Sequence, residues 1–300
     1  MNKLASMLAC NLKDCKIEED FDFSEHTTIG VGGKAESAVY PCSVEAMVSA
    51  IAFFKENGIP YIILGAGANV LPSDKGFSGA VLKTDFLNEI KITGENKIFA
   101  ECGVRVSKLL NFANESSMGG ISFMAGIPAS VGGAVFMNAG ISEGHIGDKI
   151  GRVLAISPNG EVVWLSKSEC CFSYKRTVFS EEGFTVLGAE LNLEFCEKES
   201  AKQEIARVLQ NRKKLPRGKS MGCVFKNPNG VSAGALIEKA GLKGTRKGGA
   251  LISPLHANFI INTGGAASSD ITDLIGLMKR EVYAYSKIRL EEEIRYIGDY

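Results

Sequence analysis

The sequence predicts an α+β chain of two domains, a larger first one and a smaller second one. Three observations carry that prediction. At 300 residues the chain is long for a single hydrophobic core. Helix-period and strand-period stretches alternate through most of its length, and an intensely charged segment, CEKESAKQEIARVLQNRKKLP at 196–216, divides them into two groups. Apolar residues at 45% and charged residues at 23% match an ordinary globular composition, so both groups can bury a core. The expected division is a helical extension over 1–25, a first domain over 26–198 and a second over 199–300.

The N-terminal MNKLASMLACNLKDCKIEED carries Leu4, Leu8, Leu12 and Cys15 at helical spacing. Lys13 and Asp14 interrupt its apolar patch, so it reads as an amphipathic helix rather than a signal peptide, and the chain is expected to stay inside the cell. SVEAMVSAIAFFKENG is a helix capped by Ser43 and stopped at Gly58, and PYIILG after it is a short buried strand. AVLKT reads as another strand, EIKITGENKIFAECG as a hairpin turning at Thr93–Asn96, and VSKLLNFANESS as a second helix. VLAISPNGEVVWLS is a hairpin turning at Pro158-Asn159-Gly160, and FTVLGAELNLEF is a long strand. In the second domain SAGALIEKAG is a helix and ALIS and NFIIN are strands. SSDITDLIGLMKREVYAYSKI is a long helix with Ser269 or Asp270 near its cap, and EEEIRYIG is a final strand.

Charge and cysteine usage narrow the function classes. The 34 basic residues balance 34 acidic ones, so the electrostatic footprint of nucleic-acid binding is missing. Cysteines 10, 15, 42, 102, 170, 171, 196 and 223 form no CxxC pair and no metal-type Cys/His spacing, which predicts reduced thiols and no metal. The uncharged run from Ser116 to Ser142 is long enough to cross a bilayer, but Pro128 and six glycines within it argue for a buried glycine-rich loop instead.

Five stretches are candidates for chemistry. In YIILGAGANVL a strand runs into Gly65-Ala66-Gly67-Ala68-Asn69, which is either an anion-binding concavity or a plain tight turn. A third glycine and a following helix are absent, so it is no dinucleotide fingerprint, and RGKS at 217–220 fails as a P-loop because Lys213 stands where a glycine is required. GIPASVGGAVFMNAG at 126–140 is either a structural crossing or a bed for a large flat ligand such as a flavin or nucleotide. FSYKRTVF and LEEEIRYIG read by themselves as solvated charge, and Cys223 in GCVFKNP as filler.

Taken in order, these stretches together with HTTIGVGGKA (26–35), AGALIEKAGLKG and HANFIIN resemble the UDP-N-acetylenolpyruvoylglucosamine reductase family over nearly the whole chain. The spacing is similar to its shorter subclass, without an inserted tyrosine-bearing loop. The resemblance implies an FAD-binding domain of the vanillyl-alcohol-oxidase (PCMH) type followed by a smaller α+β substrate-binding domain. It implies non-covalent FAD held around Gly65, Ala66, Gly67, Ala68, Asn69 and Val70, and around Gly126, Ile127, Pro128, Ala129, Gly132, Gly133, Ala134, Asn138, Ala139 and Gly140, since His26 and His145 stand in no flavinylation motif. NADPH would reduce the flavin, and UDP-N-acetylglucosamine enolpyruvate would then be reduced to UDP-N-acetylmuramate for peptidoglycan, in the cytoplasm and by a monomer.

The same resemblance assigns residues. Cys223 stands where the family has serine or cysteine as proton donor, and Glu293 matches the C-terminal glutamate that assists the enolate step. Tyr174, Lys226 and Asn227 match substrate-holding positions. One position departs: after the tyrosine the family has an active-site arginine, whereas Lys175 follows Tyr174 here and Arg176 comes next. Lysine offers a point charge and no planar fork. The ungapped match gives the role to Lys175, and a loop shift of one residue would give it to Arg176. Two alternatives stay open: another FAD oxidoreductase of the superfamily, or a non-catalytic nucleotide-sugar-binding relative.

Overall fold

The computed structural model describes residues 2–300, and the periodic stretches form the elements their patterns predict. Val44–Glu56 is a helix because Ser43 accepts from the Ala46 amide and Gly58, at φ +62°, ends it. Lys3–Asn11 is the N-terminal helix, while Cys15 lies beyond it at the start of a strand, Cys15–Asp22.

The chain forms two units. One takes the chain up to Glu18, Ser37–Ala66 and Ala80–Arg212; the other takes Glu19–Glu36, Gly67–Gly79 and Lys213–Tyr300. This differs from the expected division at 25 and 198, and packing is the reason. Leu8 and Leu12 of the N-terminal segment enter the first unit's core, as does Val208 of the charged helix Lys198–Arg212. Ile29, Val31 and Leu71 enter the second unit's core beside Phe225 and Ile260.

In the first unit Tyr61–Leu64 pairs in parallel with Phe77–Lys83, which sets Leu64 opposite Lys83. An antiparallel sheet of five strands runs in the order Val162–Ser166, Ile150–Ile156, Thr185–Asn192, Lys97–Glu101, Ile90–Gly94. The helix Val131–Phe136 packs on the central Thr185–Asn192 strand. The uncharged run at 116–142 is cut into pieces of six residues or fewer, and among the described residues no helix is long and apolar enough to cross a membrane.

The second unit is α+β. Lys219–Cys223, Phe259–Asn262, Ala250–Ile252 and Arg246–Lys247 form an antiparallel sheet. The helices Ala233–Lys239 and Ser268–Ser286 supply its apolar partners, and Arg295–Ile297 pairs in parallel with Val70–Pro72.

The long helix begins at Ser268, and Asp270 sits near its cap as expected, accepting from the Ala267 amide at 3.1 Å. Its cap position is Ala267, whose side chain accepts nothing, and Asp74 from a distant loop takes the N–H groups of Ser268 (2.7 Å) and Ser269 (3.0 Å) instead. Burial pushes the Asp74 carboxyl up, but those donors outweigh it and hold it below its ordinary value. A depressed carboxyl stabilises the fold above its unfolded value, about 3.9, and that contribution fades as pH falls through the folded value. Asp74→Asn keeps one acceptor oxygen and loses the other with the charge, so it is expected to cost about 1 kcal/mol at pH 7, the net worth of one hydrogen bond. The gap to wild type in urea unfolding should narrow as pH falls from 7 to below about 3.9 and through the folded carboxyl's lower value; a gap that stays constant with pH contradicts this account.

Candidate active site

In the first unit the strand Tyr61–Leu64 leads directly into Gly65. The parallel register brings Lys83 beneath that turn, where its Nζ donates to the Gly65 carbonyl at 2.9 Å and pairs with Asp85 at 3.0 Å. Lys83 is only 2% exposed, and burial pulls its ammonium below the ordinary lysine value, with Asp85 opposing. A Cβ on Gly65 would lie 2.3 Å from the Ser130 hydroxyl and 3.8 Å from that of Thr84. The Thr84 hydroxyl is buried and has no hydrogen-bond partner among the described residues. An orphan donor next to a buried ammonium is a place for a polar or anionic ligand group.

The second glycine-rich stretch folds back toward the same turn. Ser130 caps Val131–Phe136 by accepting from Gly133, and the Gly132 amide donates to Cys102. Gly132 and Gly140 are demanded by packing: a Cβ on the first would meet Cys102 at 2.8 Å, and on the second the Gly144 carbonyl at 2.2 Å. Gly133 is different. It is exposed, and a Cβ there would meet only the Ser130 hydroxyl, at 3.5 Å. The open cradle at Gly133 and the orphan Thr84 hydroxyl fit a dinucleotide cofactor such as FAD. Gly126 is crossed by the Arg212 side chain, whose Cδ and Nε would stand 3.0 Å from a Cβ.

Asn138, with φ +44°, is buried, and its side chain donates to the Ser173 carbonyl at 2.9 Å while accepting from Gly147 at 3.0 Å. Tyr174 and Lys175 form the tip of a reversal closed by Ser173 and Arg176. Lys175 is half-buried and left-handed, φ +58°, whereas Arg176 is exposed.

In the second unit, Gly67 takes φ +66° and packs on the backbone of the HTTIG segment: a Cβ would meet the His26 carbonyl at 2.3 Å, and Thr28 donates to the Gly67 carbonyl. Asn69 then donates from Nδ2 to the Glu293 carbonyl at 3.0 Å, and Arg295 donates to the Asn69 carbonyl. Half-buried Cys223 ends the strand Lys219–Cys223, opposite Phe259. The Glu293 amide donates to the Val224 carbonyl at 2.7 Å, and Phe225 bridges Glu292, so the C-terminal acidic segment is tied to the two residues that follow Cys223. Glu291 and Glu292 are otherwise engaged, with Lys226 at 2.6 Å and Lys279 at 2.5 Å. Asn227 accepts from the Ala233 amide at 3.0 Å, which fastens the GCVFKNP segment to the following helix.

Three residues escape the motif reading. Lys83 looks like an ordinary strand residue in AVLKT, and Lys219 lies against Gly30, where a Cβ would meet its Cδ at 2.8 Å. Asn258, 2% exposed, clamps Phe225 from both sides, accepting from its amide at 2.9 Å and donating to its carbonyl at 2.8 Å. Burial lowers His256 from its ordinary value, which keeps its Nδ1 an acceptor for the Asn258 amide at 3.2 Å. The signal for Asn258 was an amide standing immediately before an apolar strand.

A glycine cradle that fits a dinucleotide, and the match of residues 35–166 to the FAD binding domain family, define the class: an FAD-dependent oxidoreductase. The chain belongs to the UDP-N-acetylenolpyruvoylglucosamine reductase family, whose C-terminal domain residues 212–297 match. It is 41% identical to the UDP-N-acetylenolpyruvoylglucosamine reductase of Caldicellulosiruptor bescii, over 96% of this chain and 94% of the relative. It is 39% identical to that of Clostridium novyi, over 95% and 93%. The crystal structure of the Thermus caldophilus reductase superposes with a TM-score of 0.81 at 32% identity, covering 95% of this chain and all of that one.

Proposed function

We propose that the protein reduces UDP-N-acetylglucosamine enolpyruvate to UDP-N-acetylmuramate in peptidoglycan precursor synthesis, with NADPH as reductant and FAD as bound carrier. The observation that supports this most is the amide of Glu293 donating to the Val224 carbonyl, which ties the C-terminal acid to the residue that follows Cys223. Bound FAD supplies a hydride to the terminal carbon of the enolpyruvyl double bond. The remaining work falls to side chains. Adding hydride at that carbon leaves an electron pair on C2, spread into the carboxylate, and Lys175 is the cation that stabilises it. Cys223 then gives its proton to C2: the S–H bond breaks, the C–H bond forms, and solvent later reprotonates sulfur. A thiol with an ordinary pKa of about 8.5 is mostly protonated at neutral pH yet releases its proton far more readily than an alcohol. Glu293 assists as a hydrogen-bonding acid. Lys226, held by Glu291, meets the nucleotide diphosphate as a compact charge, and Tyr174 and Asn227 complete the substrate contacts. The reductant and the nucleotide sugar are cytoplasmic metabolites, so the cytoplasm is the compartment we read, and a monomer carries every residue invoked.

The test is anaerobic. NADPH added to the yellow holoprotein should bleach its absorbance at about 450 nm, and the enolpyruvyl sugar nucleotide should restore it, as flavin chemistry requires. Flavin that NADPH leaves oxidised, or that only a different acceptor reoxidises, overturns the reading.

A further inference from the structure

The turn that carries the cation has little to hold it by itself. Ser173 and Arg176 are joined by two backbone bonds, 3.0 and 3.4 Å long, and nothing extends that bridge into a sheet. An isolated two-residue reversal is not stable in water. Its tip residue Lys175 is left-handed, which adds strain for a side chain with a Cβ.

Two buried side chains from outside the turn grip it. Asn138 donates from Nδ2 to the Ser173 carbonyl, the same oxygen that closes the reversal, and its Oδ1 is held by the Gly147 amide. The fit is close: a Cβ on Gly147 would lie 2.7 Å from that Oδ1 and 2.6 Å from the Phe172 ring. On the other flank Thr177, 1% exposed, donates to the Phe136 carbonyl at 2.8 Å. Both anchors end on one short stretch, Phe136 to Asn138, at the end of the glycine-rich cradle. The cradle and the turn are therefore fastened to each other at two points.

We propose that Asn138 is a positioning residue: its amide is committed to the turn and orients Lys175 for the substrate's developing negative charge. The amide is thus not a ligand of the cofactor, which revises the role expected for Asn138 from the motif. This rests on the function proposed above.

Asn138→Asp tests it in the FAD holoenzyme. The substitution keeps size, tolerance for positive φ and the acceptor for Gly147, but puts a carboxylate oxygen where the donor to Ser173 stood. Flavin content and the rate of bleaching by NADPH should stay within about threefold of wild type. Reoxidation by the enolpyruvyl nucleotide should slow on the order of 100-fold, as small misplacements of an aligned group do. Asn138→Gly, which meets the backbone angle freely and removes both bonds, should give the same split if the aspartate variant folds poorly. Loss of flavin from both variants would make Asn138 a cofactor ligand; equal decline of both half-reactions would make it merely structural; no change in either would make the anchor irrelevant. Each overturns the proposal. Wild-type enzyme that the nucleotide fails to reoxidise overturns the functional reading instead, and the proposal with it, and that control involves no substitution.

Discussion

Cys223→Ala is expected to leave flavin reduction by NADPH intact while slowing reoxidation by the enolpyruvyl nucleotide about 100- to 10,000-fold, the range for removing a positioned general acid. The argument is positional. Cys223 is the last residue of its strand, and the next two residues are fixed: Val224 accepts from Glu293 and donates to Asn258, and Phe225 is clamped by both ends of the Asn258 amide. Val224 and Phe225 are buried, so this backbone cannot drift, and the thiol at its edge is only half-buried. A rigid backbone beneath a partly accessible side chain is what a proton donor needs, and a filler cysteine needs none of it. Alanine removes the sulfur without disturbing those bonds, so flavin content and the thermal midpoint should hold. Cys223→Ser should retain activity to within about tenfold, since a hydroxyl occupies the same place and can still relay a proton. Stopped-flow measurement of the two half-reactions separates these results. An alanine variant reoxidised at the wild-type rate means that another group delivers the proton.

Local signals made much of this fold legible, and long-range pairing hid the rest. The helix Val44–Glu56 announces itself through a serine cap, an apolar period and a terminal glycine, all within one stretch. The membership of Glu19–Glu36 and Gly67–Gly79 in the second unit has no such signal, because it is decided by Ile29, Val31 and Leu71 entering a core built mostly beyond residue 212. The candidate site divides the same way. Gly65 and Gly132 stand out as glycines, but their reasons, the Ser130 hydroxyl and the Cys102 side chain, lie far along the chain. Lys83 reaches Gly65 only through the parallel register that aligns it with Leu64. Among three successive glutamates, composition cannot choose. In the structure Glu291 pairs with Lys226, Glu292 pairs with Lys279, and the amide of Glu293 donates to the Val224 carbonyl. Cys223 drew attention only through the resemblance of its motif, since a lone thiol carries no pattern.

Lys175→Gly should separate stability from activity. Lys175 sits at φ +58°, a conformation that costs an L-residue roughly 1–2 kcal/mol. Glycine adopts it freely but loses about 0.5–1 kcal/mol through its larger unfolded entropy. The two terms nearly offset, so the variant should be as stable as wild type or slightly more so in urea. Activity should move the other way, falling about 100- to 1,000-fold in the reoxidation half-reaction, because the cation proposed to stabilise the substrate's developing charge is gone. A change that harmed only the packing would lower both quantities together. Arg176→Ala is the companion measurement. Arg176 closes the reversal through its backbone, which alanine preserves, and its side chain is exposed, so the expected loss is about tenfold or less, in line with a screened surface charge. If the order is inverted, with the glycine variant active and the alanine variant dead, then the turn presents Arg176 to the substrate and the departure from the family pattern at Lys175 is a shift of one residue.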